Sequence, residues 1–325
     1  MNKIKLKVTV KCKKILKYGS DCSGLDAPYL ALKHLYGKNI KPIFASDIDK
    51  HVLEMLYANH KAKNIYDNIK NRPNTYVDIY FAGFPCQTFS TAGSRAGFKD
   101  SRGTVFFDIY NYLLHVKPKV VVLENVKGLL THDKGNSFKV IMDFLEDLDS
   151  YHIYYDVLSP HTHANWPQYR PRVFIVCIRK DIQVKHFVFP GETPLKVFIS
   201  DIVNKNLRGN LDDLTPFEAK NLRIHQQNYI TKGIDLMKDY YVFDIGATPT
   251  FGKPQYDISP TLKASRSNYF ITKLHRKFTN DEIRQVQGLP EMNIVVSESQ
   301  YRKQVGNSIC VPVLIRLFKA IFASI

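Results

Sequence analysis

The chain has no Cys-x-x-Cys pair, and its five cysteines, at 12, 22, 86, 177 and 310, are odd in number and scattered. That pattern argues against a disulfide framework or a structural zinc site and suits a reducing compartment. No apolar run approaches the roughly 20 residues of a membrane span. The N-terminus, MNKIKLKVTVKCKK, lacks the apolar block of a signal peptide. These absences predict an intracellular protein, cytoplasmic or in a host cell, with no membrane partner. Acid is scarce as well: 30 Asp and Glu face 46 Lys and Arg, a net charge of +16. A surplus this large suggests a polyanionic partner, most often nucleic acid. A full glycine-rich dinucleotide fingerprint, internal repeats and low-complexity tracts are also missing.

What remains is a globular composition. The 325 residues are 44% hydrophobic and 23% charged, enough for one large domain and a smaller one. The basic charge is uneven. Lys3, Lys5, Lys7, Lys11, Lys13, Lys14 and Lys17 crowd the start without an acid. Lys263, Arg266, Lys273, Arg276 and Lys277 form a second stretch, and between 190 and 257 the charges nearly cancel.

Hydrophobic periodicity predicts alternating strands and helices in the first half. Ile4, Leu6, Val8 and Val10 alternate as in an amphipathic strand. Strands follow at 15–20, 41–46, 77–82, 119–123, 152–158 and 173–179. Helices fall at 28–36, 51–60, 104–115 and 137–148, the third with Phe106, Ile109, Leu113 and Leu114 on its inner side. This alternation argues for an α/β, doubly wound, Rossmann-like domain. Ligands on such sheets bind at the carboxyl ends of strands. The pattern breaks after Pro190, predicting a smaller domain at 186–257. Residues 258–325 then return to complete the catalytic domain begun by 1–185, ending in an apolar helix that packs back on it.

Several strand ends carry chemistry. GSDCSGLDAP, residues 19–28, joins a strand to a helix with small residues that let the backbone approach a ligand. FASDID, 44–49, ends a strand in acids, where a carboxylate accepts from ribose hydroxyls. In FAGFPCQTFS, 81–90, a thiol follows a rigid proline just past a strand. Cys86 becomes a strong nucleophile if its surroundings favour the thiolate. Glu124, after the valine run of VVVLENV, is an acid at an apolar strand end, where burial raises its pKa and suits it to donate a proton. Arg170 and Arg172 in QYRPR point the same way if extended, and each could grip a carboxylate or oxyanion. Each feature has an ordinary structural use too: a tight turn, a capping Asp, a buried thiol, a surface arginine pair.

Taken in order, PCQ (85–87), ENV (124–126), QYRPR (168–172) and GNS (306–308) resemble the motifs of the DNA (cytosine-5) methyltransferases. SRAGFKDSRGTVFFDI, 94–109, is similar to the family's mobile loop and the helix after it. The resemblance covers nearly the whole chain except the first dozen residues and about 186–257. It implies an S-adenosyl-L-methionine-dependent enzyme that flips a cytosine from double-stranded DNA. Cys86 would attack carbon 6 and Glu124 would act at ring nitrogen 3. Arg172 would support the base and intermediate, with Arg170 placing the active site. Gln87, Ser90 and Arg102 would approach DNA.

The same resemblance implies a cofactor site of Cys22, Gly24, Leu25, Asp47, Ile48, Asp67, Pro85, Val105, Asn307 and Ser308, with no metal. The chain departs from the family at Cys22, Asp26 and Ala27, where Phe and a glycine pair are usual, and at Ile48, where an aromatic often stacks on adenine. Region 186–257 falls where the family keeps its target-recognition domain, and its small size favours a short site. The Lys263–Lys277 stretch and the N-terminal lysines would then supply phosphate attraction. The resemblance implies a monomer, with a restriction endonuclease as a possible separate companion. A transfer-RNA cytosine methyltransferase and a catalytically silent DNA binder are the alternatives.

Overall fold

The computed structural model describes residues 14–85, 105–265 and 268–325. The N-terminal strand expected at Ile4–Val10, the segment from Cys86 to Thr104, and Arg266 lie outside the described residues. The chain divides into two compact units. The first holds Met1–Leu158, Pro171–Pro190 and Leu314–Ile325; the second holds Ser159–Arg170 and Gly191–Val313. The second unit thus takes in more than 186–257, including most of the stretch after 258.

The first unit is built on a seven-stranded sheet of order β3-β2-β1-β4-β5-β7-β6. Its strands are β1 (Leu16–Asp21), β2 (Ile40–Ser46), β3 (Asn64–Tyr66), β4 (Ile79–Ala82), β5 (Val120–Val126), β6 (Tyr151–Leu158) and β7 (Arg172–Arg179). The first five run parallel, and β7 lies antiparallel between β5 and β6. The strand order reverses between β1 and β4, so the loops leaving those two strands open side by side at the switch point.

Local sequence explains the helices. Helix α1 (Ala27–Tyr36) starts at Asp26, whose carboxylate accepts from the Tyr29 N–H at 3.4 Å, with Pro28 in the first turn. Helix α2 (Lys50–Asn59) is capped by Asp49, which accepts from the His51 N–H at 2.9 Å. Helix α3 (Val105–Val116) buries Phe106, Ile109, Tyr110, Tyr112 and Leu113. Leu114, expected inside, is 45% exposed. Eight residues on from Phe106 it has turned about 80° away from the stripe. Helix α4 (Asn136–Asp147) buries Ile141 and Leu145 in the same core.

Strand β5 passes through the centre of this core. Val121, Val122 and Leu123 are fully buried, as a strand covered on both faces requires. Burying each such side chain stabilises by about 1.5–3 kcal/mol. The strand does not stop at residue 123. Pairing with β7 continues from Leu123↔Ile175 to Val126↔Arg172, so Glu124 and Asn125 belong to the strand rather than following it.

The second unit carries a four-stranded antiparallel sheet, β11-β10-β8-β9, made of β8 (Tyr241–Asp244), β9 (Gln255–Tyr256), β10 (Tyr269–Ile271) and β11 (Arg276–Lys277). Helix Pro216–Ile230 brings Leu222 against Phe243, Ile245 and Phe270. Periodicity gave no hint of this helix because it is polar on most sides. Its start was nonetheless written in Thr215-Pro216-Phe217-Glu218, a reciprocal capping box with proline in the first turn. The last helix is Val311–Phe322, and its residues from Leu314 on belong to the first unit, where the Phe322 ring lies 4.8 Å from that of Tyr36. By length and composition Glu298–Phe322 could cross a membrane, which corrects the expectation that no run comes close. Of its most apolar window 72% is buried, as in a core helix.

Candidate active site

Three neighbouring strand ends build the first part of the site. After β1 the chain turns sharply through Cys22 (φ 51°), Gly24 (φ 53°) and Asp26 (φ 48°). Leu25 is buried beneath the turn. A side chain on Gly24 would meet nothing within 4 Å, but its left-handed backbone favours glycine. The two acids after β2 divide their work. Asp49 caps α2, while Asp47 reaches across to the loop after β1 and accepts the Gly24 N–H at 2.9 Å. Its other oxygen accepts the Asp49 N–H at 3.0 Å. Burial pushes the Asp47 carboxyl above its ordinary value, against those backbone bonds. Ile48 beside it is 81% exposed, a large apolar side chain at the carboxyl edge of the sheet. The end of β3 joins the row through the Asp47 N–H, which donates to the Tyr66 carbonyl at 3.1 Å. Asp67 follows directly and accepts from Asn71 Nδ2 at 3.0 Å.

The second part lies at the ends of β4, β5 and β7. Strand β4 ends at Ala82, opposite Leu123, so Gly83 sits beside Glu124. A Cβ on Gly83 would stand 3.5 Å from Glu124 Oε2 and 3.9 Å from the Cys22 carbonyl, which places the two parts next to each other. Glu124 is only 9% exposed. Arg172 Nε approaches Glu124 Oε1 at 3.1 Å. The pair is a diagonal one across the β5–β7 ladder, where same-face side chains meet. Asn125 faces the other way and donates Nδ2 to the buried Phe84 carbonyl at 2.9 Å. It thereby holds the backbone just before Pro85 and Cys86. Pro85 is exposed, and Val105 opens α3. Cys86, Gln87, Ser90 and Arg102 lie outside the described residues.

The Arg170 guanidinium is held by backbone carbonyls. It donates to the carbonyls of Leu262 (2.7 Å), Gly306 (2.8 Å) and Ser308 (2.7 Å), all within the second unit. It thus ties QYRPR to the GNS turn. Gly306 is needed there, because a Cβ would come within 2.6 Å of the Lys263 carbonyl group. Asn307 is exposed and Ser308 buried in that unit. Two members of the second basic stretch are engaged internally: Arg276 is buried against Glu282 at 2.7 Å, and Lys277 binds Glu218 at 2.6 Å. Among the described thiols none is activated. Burial raises Cys22 and Cys310 far above the ordinary thiol value, and Cys177 up to about 12.

Sequence reading assigned no partners to two buried carboxylates here. Asp26 accepts from Tyr18 Oη at 2.6 Å and faces His60 Nε2 at 2.7 Å. His60 Nδ1 accepts the Ala62 N–H at 2.9 Å, so Nε2 is the nitrogen that carries the ring hydrogen. This explains how an acid occupies a left-handed position where glycine is usual. The other is Asp21, described below. Only the acids themselves and the capping position of Asp26 were visible as signals, since their other partners come from 6 to 59 residues away.

A doubly wound sheet with a loop-and-carboxylate cradle at its switch point, beside a buried glutamate–arginine pair, defines a Rossmann-like methyltransferase. The chain belongs to the C-5 cytosine-specific DNA methylase family, whose model matches residues 20–323, and is a DNA (cytosine-5-)-methyltransferase. It is 34% identical to the type II methyltransferase M.Bsp6I of Bacillus sp. (strain RFL6), over 87% of this chain and 91% of that protein. It is 30% identical to M.HhaI of Haemophilus parahaemolyticus, over 84% of each. The fold is similar to that of a Spodoptera frugiperda DNMT2 mutant, with a TM-score of 0.66, 17% identity and coverage of 94% of this chain and 99% of that one. A putative DNA modification methyltransferase from an E. coli prophage gives the same score and identity, covering 95% and 99%.

Proposed function

We propose that this enzyme methylates carbon 5 of a flipped cytosine within a short specific sequence of double-stranded DNA, through a covalent Cys86 adduct. The observation that carries the reading is the Glu124–Arg172 pair set beside Gly83, three residues before Cys86. Cytosine stacked in a duplex is out of reach, so the base must leave the helix to meet a thiol. The Cys86 thiolate adds to carbon 6. Glu124 holds the proton at ring nitrogen 3, so the ring accepts the electron pair. Arg172 keeps the glutamate oriented and offers its remaining N–H groups to the base. Asn125, through the Phe84 carbonyl, fixes the approach of the thiol-bearing segment. Once carbon 5 carries the methyl it gives up its proton to water, the C–H electron pair re-forms the 5,6 double bond, and the C6–S bond breaks to release the thiolate.

The residues present fit S-adenosyl-L-methionine. Gly24 and Leu25 would lie along its methionine part, with Asp47 at the ribose and Asp67 at the adenine edge. The exposed Ile48 offers an apolar face for the ring in place of an aromatic. Cys22, Pro85, Val105, Asn307 and Ser308 would complete the site. When bound, the cofactor supplies the electrophilic methyl that carbon 5 accepts. We further read the enzyme as a cytoplasmic monomer, in a restriction–modification setting like that of the type II relatives, with any endonuclease acting separately. The second unit would read the DNA sequence.

The test is methyl transfer from labelled cofactor to unmethylated duplex DNA, with Cys86→Ala in parallel and product mapping at base resolution. Label on cytosine carbon 5, abolished in the variant, is expected. Label on transfer RNA but not on duplex DNA would replace the substrate, and none on either would defeat the reading.

A further inference from the structure

Asp21, the last residue of β1, is fully buried. Its carboxylate is a junction of four segments. Oδ1 accepts from Ser46 Oγ at 2.5 Å, and Oδ2 accepts from Tyr80 Oη at 2.6 Å. Arg72 donates Nε to both oxygens at 3.0 Å and brings Nη2 within 2.9 Å of Oδ2. The guanidinium is itself stacked 4.0 Å from the Tyr112 ring centre and 4.9 Å from that of Phe44.

Each partner adjoins a different part of the cofactor cradle. Ser46 immediately precedes Asp47. Arg72 closes the short turn that follows Asp67 and is capped by Asn68, its N–H donating to the Ile69 carbonyl. Tyr80 sits in β4, the strand that leads to Gly83 and Pro85. Asp21 itself precedes Cys22 and the turn to Gly24. Burying an ion pair is a poor route to stability alone, because desolvation offsets much of the attraction and an apolar pair often does as well. What the pair provides is directional: one acceptor group fixes the relative register of four chain segments.

We propose that Asp21, through Arg72, Ser46 and Tyr80, is the positioning residue that sets the S-adenosyl-L-methionine cradle. It touches no reacting atom. The inference rests on the cofactor assignment above. Its loss weakens cofactor binding and leaves the chemical step at saturating cofactor largely intact.

Three variants test it by calorimetric titration of S-adenosylhomocysteine and by cofactor KM and kcat. Ser46→Ala and Tyr80→Phe each remove one donor and keep the ion pair. Each is expected to weaken binding by about two- to tenfold, the range of a single hydrogen bond. The double variant Asp21→Leu/Arg72→Met replaces the pair by apolar groups and avoids a lone buried charge. It is expected to weaken binding by more than about tenfold while kcat changes far less, as loss of ground-state positioning requires. Variants that melt like wild type and bind S-adenosylhomocysteine as tightly overturn the proposal alone. A folded wild-type protein that binds no S-adenosylhomocysteine overturns the cofactor assignment and this inference together.

Discussion

Arg172 Nε stands 3.1 Å from Glu124 Oε1, and the two side chains are diagonal neighbours on β7 and β5 rather than a chance surface contact. Both are mostly buried, with side chains 14% and 11% exposed. The antiparallel insertion of β7 beside β5 therefore brings a cation onto the edge of the carboxylate.

Glu124→Gln keeps the shape and loses the acid. It is expected to lower the methyl-transfer rate by about 10²–10⁴-fold, the range for a general acid. S-adenosylhomocysteine affinity should stay near wild type. Single-turnover kinetics beside calorimetry separate the two. An equal loss in both would place Glu124 in the cofactor site instead.

Asn125→Ala removes the bond to the buried Phe84 carbonyl. Leaving that acceptor unpaired costs about 1–3 kcal/mol, visible in urea unfolding. Methyl transfer should fall as well, because the segment before Cys86 loses its tether. Full activity with reduced stability would make Asn125 purely structural.

Asp26→Ala leaves Tyr18 Oη and Ser20 Oγ without this acceptor and places alanine at φ 48°. The expected loss is about 1–3 kcal/mol from unpaired groups, with backbone strain added. Asp26→Gly removes the strain and keeps the deficit, so it should melt between alanine and wild type. Thermal melts of the pair decide it; indistinguishable melting temperatures for the two variants would refute the strain.

Acid should weaken the protein through Glu282. Burial alone would raise its pKa, but the bonds from Arg276 and from the Thr279 and Asn204 N–H groups outweigh that and hold it below the ordinary value. A carboxylate with a depressed folded pKa stabilises fully above its unfolded pKa and loses that contribution as pH falls through the folded one. Stability should therefore drop from about pH 5 downward. Glu282→Gln should flatten this limb of a urea-midpoint-against-pH plot, and an unchanged slope would rule the residue out.

The net charge of +16 predicts DNA affinity that falls steeply with salt. Each phosphate neutralised contributes about −0.9 to the slope of log affinity against log salt. Arg276 is buried and Lys277 paired with an acid, so Arg276→Met should leave that slope unchanged. A flat salt dependence would contradict phosphate-driven binding, and a slope altered in Arg276→Met would place that residue at the interface.

Much of the first unit was legible because its strands and helices carry their own periodicity. The valine run of β5 and the switch from period two to period 3.6 need no tertiary context. The helix Pro216–Ile230 was not legible from periodicity, since its burial falls on Glu218, Asn221, Leu222 and His225. Only the capping box announced it. The sequence offered a carboxylate or an oxyanion to Arg170 and Arg172 alike; only the fold sets Arg172 on Glu124 and Arg170 on the Leu262, Gly306 and Ser308 carbonyls.

By itself, the amino-acid sequence determined most strands and helices of the first unit, the chemistry available at its strand ends and the family those motifs share. These depend on residue type and short spacing. The tertiary structure alone decided the partners: Glu124 with Arg172, Asp47 with the Gly24 N–H, Asp26 with His60, and Asp21 with Arg72, Ser46 and Tyr80. Those contacts follow from strand order and register, which bring distant residues to one edge of the sheet, and no local pattern encodes them.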